Sequence, residues 1–267
     1  MSVQTVPFFS GALYARKTCN VYLPPSYAAS LDRRYPVIYL LHGLHGSEWS
    51  WLQNGKAQET LDRMIGEGQL RECIVVMPSD GGYGTGTFYL NWYDGTGRFE
   101  DYLIEDVIPL VDDQFRTVAE SSQRYVCGLS MGGYGAFMLA LRHPELFGAA
   151  ASIAGAMISS KFLAPEFHRS DAARMIGPVH GAYAKEYDLH VLAERAASLP
   201  NRPALHFNCG KNDYLYPMNV GFQYVLEALQ YPFEYMEFEG EHTWDYFGGH
   251  LPEALQFLER QWALTDC

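Results

Sequence analysis

Basic residues are scarce in this sequence relative to acidic ones. Its 267 residues include 19 lysines and arginines against 31 aspartates and glutamates, a formal net charge of -12. A surface of that sign repels phosphate groups, which argues against nucleic acid and anionic membrane as partners. Neither is expected to bind this chain.

Long apolar stretches are also missing. The most apolar one, residues 149–158, is shorter than the roughly 20 residues that a helix needs to span a bilayer, and it is rich in alanine. Residues 1–10 contain no basic segment followed by an apolar run, so the sequence predicts no secretory signal. We therefore expect a cytoplasmic protein.

Cysteine is infrequent. Five cysteines stand at positions 19, 73, 127, 209 and 267, an odd number without the spacing of a disulfide framework or a metal site. Cys127 and Cys209 fall inside apparent strands, where cysteine usually packs as a small apolar residue. This pattern suits a reducing compartment and predicts no structural metal.

The sequence does contain a regular alternation of short apolar runs and amphipathic helices from about residue 36 onward. Hydrophobic residues make up 48% of the chain, enough for a sizeable core. The alternation is typical of an α/β fold with a mostly parallel central sheet and helices on both faces. Strands are expected at residues 37–41, 74–77, 125–127, 149–153, 204–208 and 234–238, with an antiparallel edge strand at 18–23.

Helices are expected between these strands. One covers residues 57–65 and is closed by Gly66. The last helix is expected to begin at Pro252 and to bury Leu255, Leu258 and Trp262. No repeat or linker divides the chain, so the sequence predicts one domain over residues 1–267.

Residues 156–202 interrupt this alternation. They are polar, contain histidines and show little strand character. An insertion at this point would lie over the carboxyl ends of the strands, where open α/β sheets bind ligands. We therefore expect a small cap or lid there.

The most informative motif is Gly128-Leu129-Ser130-Met131-Gly132. Residues 125–127 approach it as a buried strand, and apolar residues leave it at helical spacing. A serine on such a sharp turn is exposed in a strained conformation, and flanking glycines avoid collisions with the neighbouring backbone. This setting predicts a nucleophile elbow, with Ser130 at the positive end of the next helix.

A nucleophilic serine needs a histidine base, and that histidine needs a carboxylate to fix its tautomer. In this type of fold both follow the serine along the chain. His242 lies just after the last expected strand, at the carboxyl edge of the sheet, and is the expected base. Asp213, just after the preceding strand, is the expected acid. Glu241 and Asp245 are alternatives, although neighbours on one short loop reach the far ring nitrogen poorly.

The other histidines fit other positions. His42 and His45 precede the elbow, and no carboxylate or cysteine nearby completes a metal site with them. His206 lies within an apolar strand and is expected to be a core residue with its polar atoms satisfied. The remaining ones lie on the elbow helix, in the cap or at the last helix: His143, His168, His180, His190 and His250.

The oxyanion formed during acyl transfer needs two fixed donors. One is expected to be the backbone N–H of Met131, which follows the nucleophile. The other is expected from the loop after the first parallel strand, at the N–H of Leu44, because Gly43 lets the chain bend there. Aromatic residues in loops near the same edge either line a pocket or pack in the core; Trp244, Trp92 and Trp49 are the substrate-binding candidates.

These residues resemble a known family, the putative esterases of the α/β-hydrolases. It includes esterase D (S-formylglutathione hydrolase), feruloyl and acetyl-xylan esterases, and small bacterial tributyrin esterases. The resemblance covers most of the chain and implies Ser130, Asp213 and His242 in the roles argued above. It rests on Tyr39-Leu40-Leu41-His42-Gly43, on residues 128–136, on Cys209-Gly210 with Asp213, and on His242-Thr243-Trp244-Asp245-Tyr246. The His-Thr-Trp sequence looks more like the tributyrin and feruloyl branch than like S-formylglutathione hydrolase.

We therefore expect a serine carboxylesterase that hydrolyses short-chain acyl esters through an acyl-enzyme, with no metal and no organic cofactor. An S-formylglutathione-type thioesterase and a feruloyl or acetyl carbohydrate esterase are alternatives with the same mechanism. An acyltransferase similar to the mycolyltransferases fits less well, because those proteins are exported. A non-catalytic binding module would be expected to have lost Ser130, Asp213 or His242. The expected partner is a small-molecule ester, and a homo-oligomer is compatible with the sequence.

Overall fold

The computed structural model describes residues 2–84, 86–159 and 172–265. Its described strands form one sheet of eight, in the order β1-β2-β4-β3-β5-β6-β7-β8. Strands β3 to β8 run parallel to one another, and β2 is antiparallel to both of its neighbours. The strands are β1 (Ser2–Ser10), β2 (Ala15–Leu23), β3 (Val37–Leu41), β4 (Ile74–Pro78), β5 (Arg124–Leu129), β6 (Ala149–Ile153), β7 (Ala204–Gly210) and β8 (Phe233–Phe238).

Helices cover both faces of this sheet, as the alternation predicted. In the described residues they are α1 (Ser50–Gln53), α2 (Ala57–Gly66), α3 (Phe99–Asp101, Tyr102–Val107 and Ile108–Gln114 in succession, the middle part π-helical), α4 (Met131–Arg142), α5 (Ala172–Ile176), α6 (Ala182–Lys185), α7 (Leu189–Ala197), α8 (Tyr216–Ala228), α9 (Trp244–Gly249) and α10 (Leu251–Thr265). None of them is long and apolar enough to cross a bilayer.

The central strands are apolar throughout because both of their faces are buried. In β3, Val37, Tyr39 and Leu41 belong to the core beneath α3, α4, α7 and α8. Ile38 and Leu40 belong to the opposite core, beneath α2 and α10. A strand buried on both sides reads as a continuous apolar run, which is why these strands were predictable.

The predicted edge strand is not at the edge. Residues 18–23 belong to β2, which pairs with β4 on one side and along its whole length with β1 on the other. Strand β1 forms the actual edge. It alternates between exposed and covered residues and contains Pro7, which is tolerated at an edge because proline cannot donate a ladder hydrogen bond.

Two helix ends differ slightly from expectation. Gly66 is the last residue of α2, and the left-handed residue beyond it is Gly68, with φ 70°. Helix α10 begins at Leu251, one residue before the expected start. It buries the predicted apolar face, with Trp262 fully buried.

The expected cap over residues 156–202 has more than one part. Residues 160–171, with His168, lie outside the described residues. Helix α5 contacts the loop that precedes α3, where the N–H of Tyr93 donates to the carbonyl oxygen of Met175 at 2.9 Å. Helix α7 instead packs against α4 and leads into β7, so it is the crossover helix between β6 and β7. The segment from Leu189 onward therefore packs against the body of the fold, and the extent of the cap stays a prediction.

Candidate active site

Ser130 stands between the end of β5 and the start of α4, with φ 53° and ψ -118°. A residue with a side chain rarely adopts a positive φ, and the tight turn requires close backbone packing around it. A Cβ on Gly128 would collide with the carbonyl oxygen of Gly132. A Cβ on Gly132 would lie 2.6 Å from the carbonyl oxygens of Leu41 and His42. Both glycines are therefore required by backbone contacts, and the strand–turn–helix setting of the motif is present.

His242 joins Asp213 to Ser130. Its Nδ1 lies 2.6 Å from Asp213 Oδ2, and its Nε2 lies 2.8 Å from Ser130 Oγ. Because a carboxylate only accepts hydrogen bonds, Nδ1 carries the hydrogen, and the lone pair of Nε2 accepts the hydrogen bond of the serine hydroxyl. The structure thus brings together the three residues that the sequence singled out. In this arrangement the imidazole can remove the serine proton.

The loops that carry the acid and the base are tied to each other. The N–H of Asn212 donates to the carbonyl oxygen of Gly240 at 3.1 Å, across the ends of β7 and β8. Asp213 is 4% exposed, and its second oxygen, Oδ1, accepts the N–H of Leu215 at 2.8 Å. Both carboxylate oxygens of Asp213 are therefore engaged, and its orientation toward His242 is fixed.

Two aromatic rings flank the imidazole of His242. The ring centroid of Tyr214 lies 4.7 Å from that of His242, and the centroid of Phe247 lies 4.9 Å from it with the rings nearly perpendicular. Tyr214 is 68% exposed, so it is on the solvent side, whereas Phe247 is buried. These contacts restrict the imidazole to one orientation.

The loop after β3 lies beside the elbow and is fixed through three successive carbonyl groups. The indole N–H of Trp51 donates to the carbonyl oxygen of Leu41 at 2.9 Å. The hydroxyl of Tyr89 donates to the carbonyl oxygen of His42 at 2.9 Å. His42 Nδ1–H donates to the carbonyl oxygen of Gly43 at 2.8 Å. The loop is therefore held rigidly before any substrate binds, as electrostatic stabilisation of a transition state requires.

The two predicted oxyanion residues lie next to Ser130. A Cβ on Gly43 would come within 3.3 Å of Ser130 Cβ, and Leu44 follows directly. A Cβ on Gly86 would lie 2.5 Å from Leu44 Cδ2 and 2.6 Å from Met131 Sδ. The side chains of Leu44 and Met131 therefore both pack against Gly86.

His42 and His45 do not act as a pair. The N–H of Asp80 donates to His42 Nε2 at 3.0 Å, and Nδ1 is used on Gly43, so protein groups occupy both ring nitrogens. Since one nitrogen donates and the other accepts, the ring is neutral. In the described ranges, no group of three or more His, Cys, Asp or Glu is placed to hold a metal ion.

A cavity of about 310 Å³ opens at Ser130. Trp244 forms part of its wall, and its indole packs edge-on against Trp51 at 5.8 Å and against Phe247 at 5.7 Å. The lining residues are Gly43, Leu44, His45, Leu129, Ser130, Tyr214, His242, Trp244 and Phe247.

The other two substrate-binding candidates lie elsewhere. Trp92 is only 4% exposed, and its indole N–H donates to the carbonyl oxygen of Thr87 at 3.1 Å, because its loop folds back into the core. Trp49 is 39% exposed and lines a separate depression with Val3 and Leu52. Neither residue lines the Ser130 cavity, contrary to expectation.

Sequence reasoning missed Tyr214 and Phe247. Each left a local signal: Tyr214 directly follows the predicted acid, and Phe247 stands three residues after Trp244, on the same side of a helix. An aromatic residue beside a base residue contributes both to its orientation and to the pocket wall.

Two other histidines are structural. His206 is fully buried, with Nδ1 3.2 Å from Glu234 and its ring stacked on Phe257 at 5.2 Å. His143 lies at the far end of α4, with Nε2 2.8 Å from a buried carboxylate oxygen of Glu100. Both histidines are held away from Ser130 by the elements that carry them.

The predicted strand cysteines are buried free thiols. Burial raises the pKa of Cys127 to about 12, and it also raises the pKa of Cys209 well above its usual value. A thiol kept protonated in this way is a poor nucleophile, so both residues act as small apolar side chains.

The serine lies in a strained turn after a parallel strand, and a histidine–carboxylate pair that follows two later strands is hydrogen-bonded to it. This arrangement defines a serine hydrolase with the α/β-hydrolase fold. The comparison with known proteins agrees. Residues 10–258 match the family described as putative esterase, and the chain belongs to that family. It is an esterase of the carboxylic ester hydrolase class.

Two of the relatives carry the word esterase in their names. An endo-1,4-beta-xylanase/feruloyl esterase of Xylanibacter ruminicola is 38% identical over 155 residues, which are 55% of this chain but only 20% of that protein. An acetyl esterase of Caldicellulosiruptor saccharolyticus is 23% identical over 97% of this chain and 99% of its own length.

Solved structures show the same fold along nearly the whole chain. A ferulic acid esterase superposes with a TM-score of 0.82 at 26% identity, covering 97% of this chain and 98% of its own. An S-formylglutathione hydrolase of Staphylococcus aureus superposes with a TM-score of 0.77 at 21% identity, covering 96% and 98%.

Proposed function

We propose that the protein is a serine carboxylesterase that hydrolyses short-chain acyl esters through an acyl-enzyme on Ser130. The observation that carries the proposal is the hydrogen-bond relay in which His242 contacts Ser130 Oγ at 2.8 Å and Asp213 at 2.6 Å. In this proposal Asp213 fixes the tautomer of His242 and stabilises its charged form.

The reaction proceeds in two halves. His242 Nε2 takes the hydroxyl proton as Ser130 Oγ attacks the ester carbonyl carbon, and the oxyanion is stabilised by the backbone N–H groups of Leu44 and Met131. The carbonyl re-forms, the bond to the alcohol oxygen breaks, and His242 gives its proton to that oxygen. Water then repeats the sequence on the acyl-enzyme, releasing the acid and regenerating Ser130. Proton transfer and anion stabilisation come from protein groups, so the mechanism uses no metal and no organic cofactor.

The cavity supports short acyl groups. Its volume of about 310 Å³ is at the lower end of small-molecule sites, and Trp244 and Phe247 are packed against each other in its wall. Two to about six acyl carbons would fit such a fixed wall, whereas long chains would need it to open.

A carbohydrate esterase is the second candidate. The relatives named above include acetyl and feruloyl esterases, and a partly exposed tryptophan in the cavity wall suits a sugar or an aromatic acyl group. An S-formylglutathione-type thioesterase has the same fold and differs in its leaving group.

The test is a substrate profile with a matched variant. We expect kcat/KM to be highest for p-nitrophenyl esters of two to six carbons, and to fall for twelve carbons; methyl ferulate and S-formylglutathione are assayed beside them. Ser130→Ala should keep the fold and lose at least about a thousandfold in rate, because the nucleophile is gone while the oxyanion donors stay. A serine-directed phosphonate should attach one equivalent at Ser130, and a chelator should leave the rate unchanged. A folded Ser130→Ala protein with most of its activity would refute the mechanism.

The single domain with a small cap, the cytoplasmic location and the compatibility with a homo-oligomer stay predictions. Size-exclusion chromatography with light scattering measures the oligomeric state directly.

A further inference from the structure

His42 is a buried histidine whose ring the proposed mechanism does not use. It stands directly after β3, in the loop that carries Leu44, and is 1% exposed. Its Nδ1 lies 2.8 Å from the carbonyl oxygen of Gly43, and its Nε2 lies 3.0 Å from the backbone nitrogen of Asp80. A buried imidazole with both nitrogens engaged is held in one tautomer and one orientation. The group on its Nδ1 side belongs to the proposed oxyanion loop.

Asp80 determines which nitrogen of His42 carries the hydrogen. The backbone N–H of Asp80 donates to Nε2, so Nε2 presents its lone pair and the hydrogen lies on Nδ1. The carboxylate of Asp80 does not compete for the ring, because Oδ1 is 4.0 Å from Nε2. Its oxygens instead accept the N–H groups of Gly82 at 2.9 Å and of Thr87 at 2.8 Å. These bonds fix the loop that supplies the N–H to His42.

The Nδ1 hydrogen of His42 is donated to the peptide group that contains a proposed oxyanion donor. In the trans peptide between Gly43 and Leu44, the C=O and the N–H point in opposite directions. A hydrogen bond to the oxygen of Gly43 therefore turns the N–H of Leu44 away from His42, and by polarising the peptide it makes that N–H a stronger donor. The N–H of Gly46 donates to the same oxygen at 3.2 Å, so two donors act on this carbonyl.

The N–H of Leu44 is open to a substrate. Among the described residues it is hydrogen-bonded to no protein acceptor, although the carbonyl of the same peptide has two donors. Backbone N–H groups that are removed from water normally have a partner. Leu44 lines the Ser130 cavity, so its N–H is suited to an anion that forms there.

The ring of His42 is closely packed in this position. A Cβ on Gly46 would lie 2.6 Å from Nδ1 of His42. The hydroxyl of Tyr89 donates to the carbonyl oxygen of His42, and the two rings are 6.0 Å apart. Gly135 of the elbow helix α4 leaves room for Tyr89, because a Cβ there would lie 2.5 Å from Tyr89 Cδ2. His42 is therefore fixed relative to both the oxyanion loop and α4.

We propose that His42 is a positioning residue for the oxyanion hole. It directs and polarises the N–H of Leu44 through the carbonyl oxygen of Gly43, and Asp80 keeps it in the tautomer that can do so. This inference rests on the proposed function, because it assigns the group behind one of the two proposed oxyanion donors. The N–H of Leu44 meets full negative charge only in the transition state, not when the neutral ester binds. Loss of the effect therefore lowers kcat and leaves KM nearly unchanged.

Two substitutions at His42 separate polarisation from the filling of space. The amide nitrogen of asparagine is as many bonds from Cβ as Nδ1 is, so His42→Asn keeps a donor to Gly43 and loses the acceptor for Asp80. Glutamine reaches the position of Nε2, so His42→Gln keeps the acceptor for Asp80 and loses the donor to Gly43. With p-nitrophenyl acetate, we expect His42→Gln to lose about tenfold to a hundredfold in kcat, less than the removal of a whole oxyanion donor costs. We expect His42→Asn to stay within about fivefold of the native kcat.

A trifluoromethyl ketone measures the oxyanion hole directly. Ser130 Oγ bonds to its carbonyl carbon, the serine proton moves to His242 Nε2, and the electron pair of the C=O bond moves to the oxygen, which becomes the oxyanion. We expect the inhibition constant to rise in His42→Gln by the factor by which kcat falls, and to change little in His42→Asn. His206→Asn is the matched control, because it replaces another fully buried histidine, on β7. It should lower the melting temperature and change the inhibition constant by less than about threefold.

The native protein provides a measurement that does not depend on any variant. Long-range ¹H–¹⁵N NMR spectra show which ring nitrogen of a histidine carries the hydrogen. We expect Nδ1–H for His42, identified by its nuclear Overhauser contact with the N–H of Gly46.

The outcomes separate this inference from the function on which it rests. An Nε2–H tautomer of His42 overturns the inference alone. So does a folded His42→Gln protein with native kcat, or a loss of kcat in folded His42→Asn that equals or exceeds the loss in His42→Gln. If the native protein does not hydrolyse p-nitrophenyl acetate, or if Ser130→Ala hydrolyses it at an undiminished rate, the proposed function itself is refuted.

Discussion

Replacing Asp213 by asparagine tests whether this carboxylate fixes the tautomer of His242 in the hydrogen-bond relay. In the native protein Asp213 Oδ1 accepts the N–H of Leu215 at 2.8 Å while Oδ2 accepts His242 Nδ1–H at 2.6 Å. An asparagine that keeps the Leu215 bond must place its carbonyl oxygen there and turn its NH₂ group toward His242. Two donors cannot face each other, so Nδ1 must lose its hydrogen and Nε2 must carry it. A histidine in that tautomer cannot accept the proton of Ser130.

The expected loss is large. The wrong tautomer lowers kcat by about three to four orders of magnitude, equivalent to about 4–5.5 kcal/mol of transition-state stabilisation. The assay is p-nitrophenyl acetate hydrolysis, with the melting temperature measured in parallel. Glu241→Gln is the matched control: it removes an exposed carboxylate next to His242 in sequence, and we expect a change of less than about threefold. If the two variants lose similar activity, Asp213 is not the residue that orients the base.

Two further predictions concern stability. Gly132→Ala should lower the free energy of unfolding by about 2 kcal/mol or more in urea titrations, because its Cβ would lie 2.6 Å from the carbonyl oxygen of Leu41, which cannot move aside. Gly221 lies in the interior of α8 with open space around it, so Gly221→Ala should instead raise the free energy of unfolding by about 0.5–1 kcal/mol. A similar loss of stability in both variants would contradict the steric argument. The buried ring of His206 lowers the pKa of Glu234 from 4.5 to about 2, so Glu234 contributes stability above pH 4.5 that is lost as the pH falls toward 2. In Glu234→Gln the free energy of unfolding should therefore fall by about 1 kcal/mol less than in the native protein between pH 4.5 and 2. This value is discounted because the carboxylate is 39% exposed. The same pH dependence in both proteins would show that the pair of His206 and Glu234 does not contribute to stability.

Those parts of the fold that bury both faces of a strand were predictable from the sequence. Strands β3 to β7 are short, mostly apolar and buried runs, and the motif around Ser130 is interpretable because such a run leads into it. Asp213 and His242 were then found from their positions at strand ends. Strand β1 was missed because it is an edge strand: exposed on one side, with Pro7 and polar residues in it, it carries a weak apolar pattern.

The side chains that line the cavity were harder to predict, because a loop residue's environment depends on where the loop folds. Trp92 and Trp244 both lie in loops, and only packing decides that one turns into the core while the other faces Ser130. The extent of the cap is hard to predict for a similar reason. Helix α7 is amphipathic like a lid helix, and only its contact with α4 shows that it is the crossover before β7.

Strand β8 lies at the other edge of the sheet from β1. The part of the active site that follows β8 is therefore less stable against local opening than the core is. The residues of β8 are at best half-buried, and within the described sheet this strand pairs on one side only, with β7. Edge elements of this kind open locally at a lower free energy than central strands do. The turn that carries the base follows β8 directly, whereas the nucleophile follows the fully buried β5. If β8 separates briefly from β7, Ser130 stays in place but loses its proton acceptor, His242. The inactive species detected by native-state hydrogen exchange would then be a nearly intact protein.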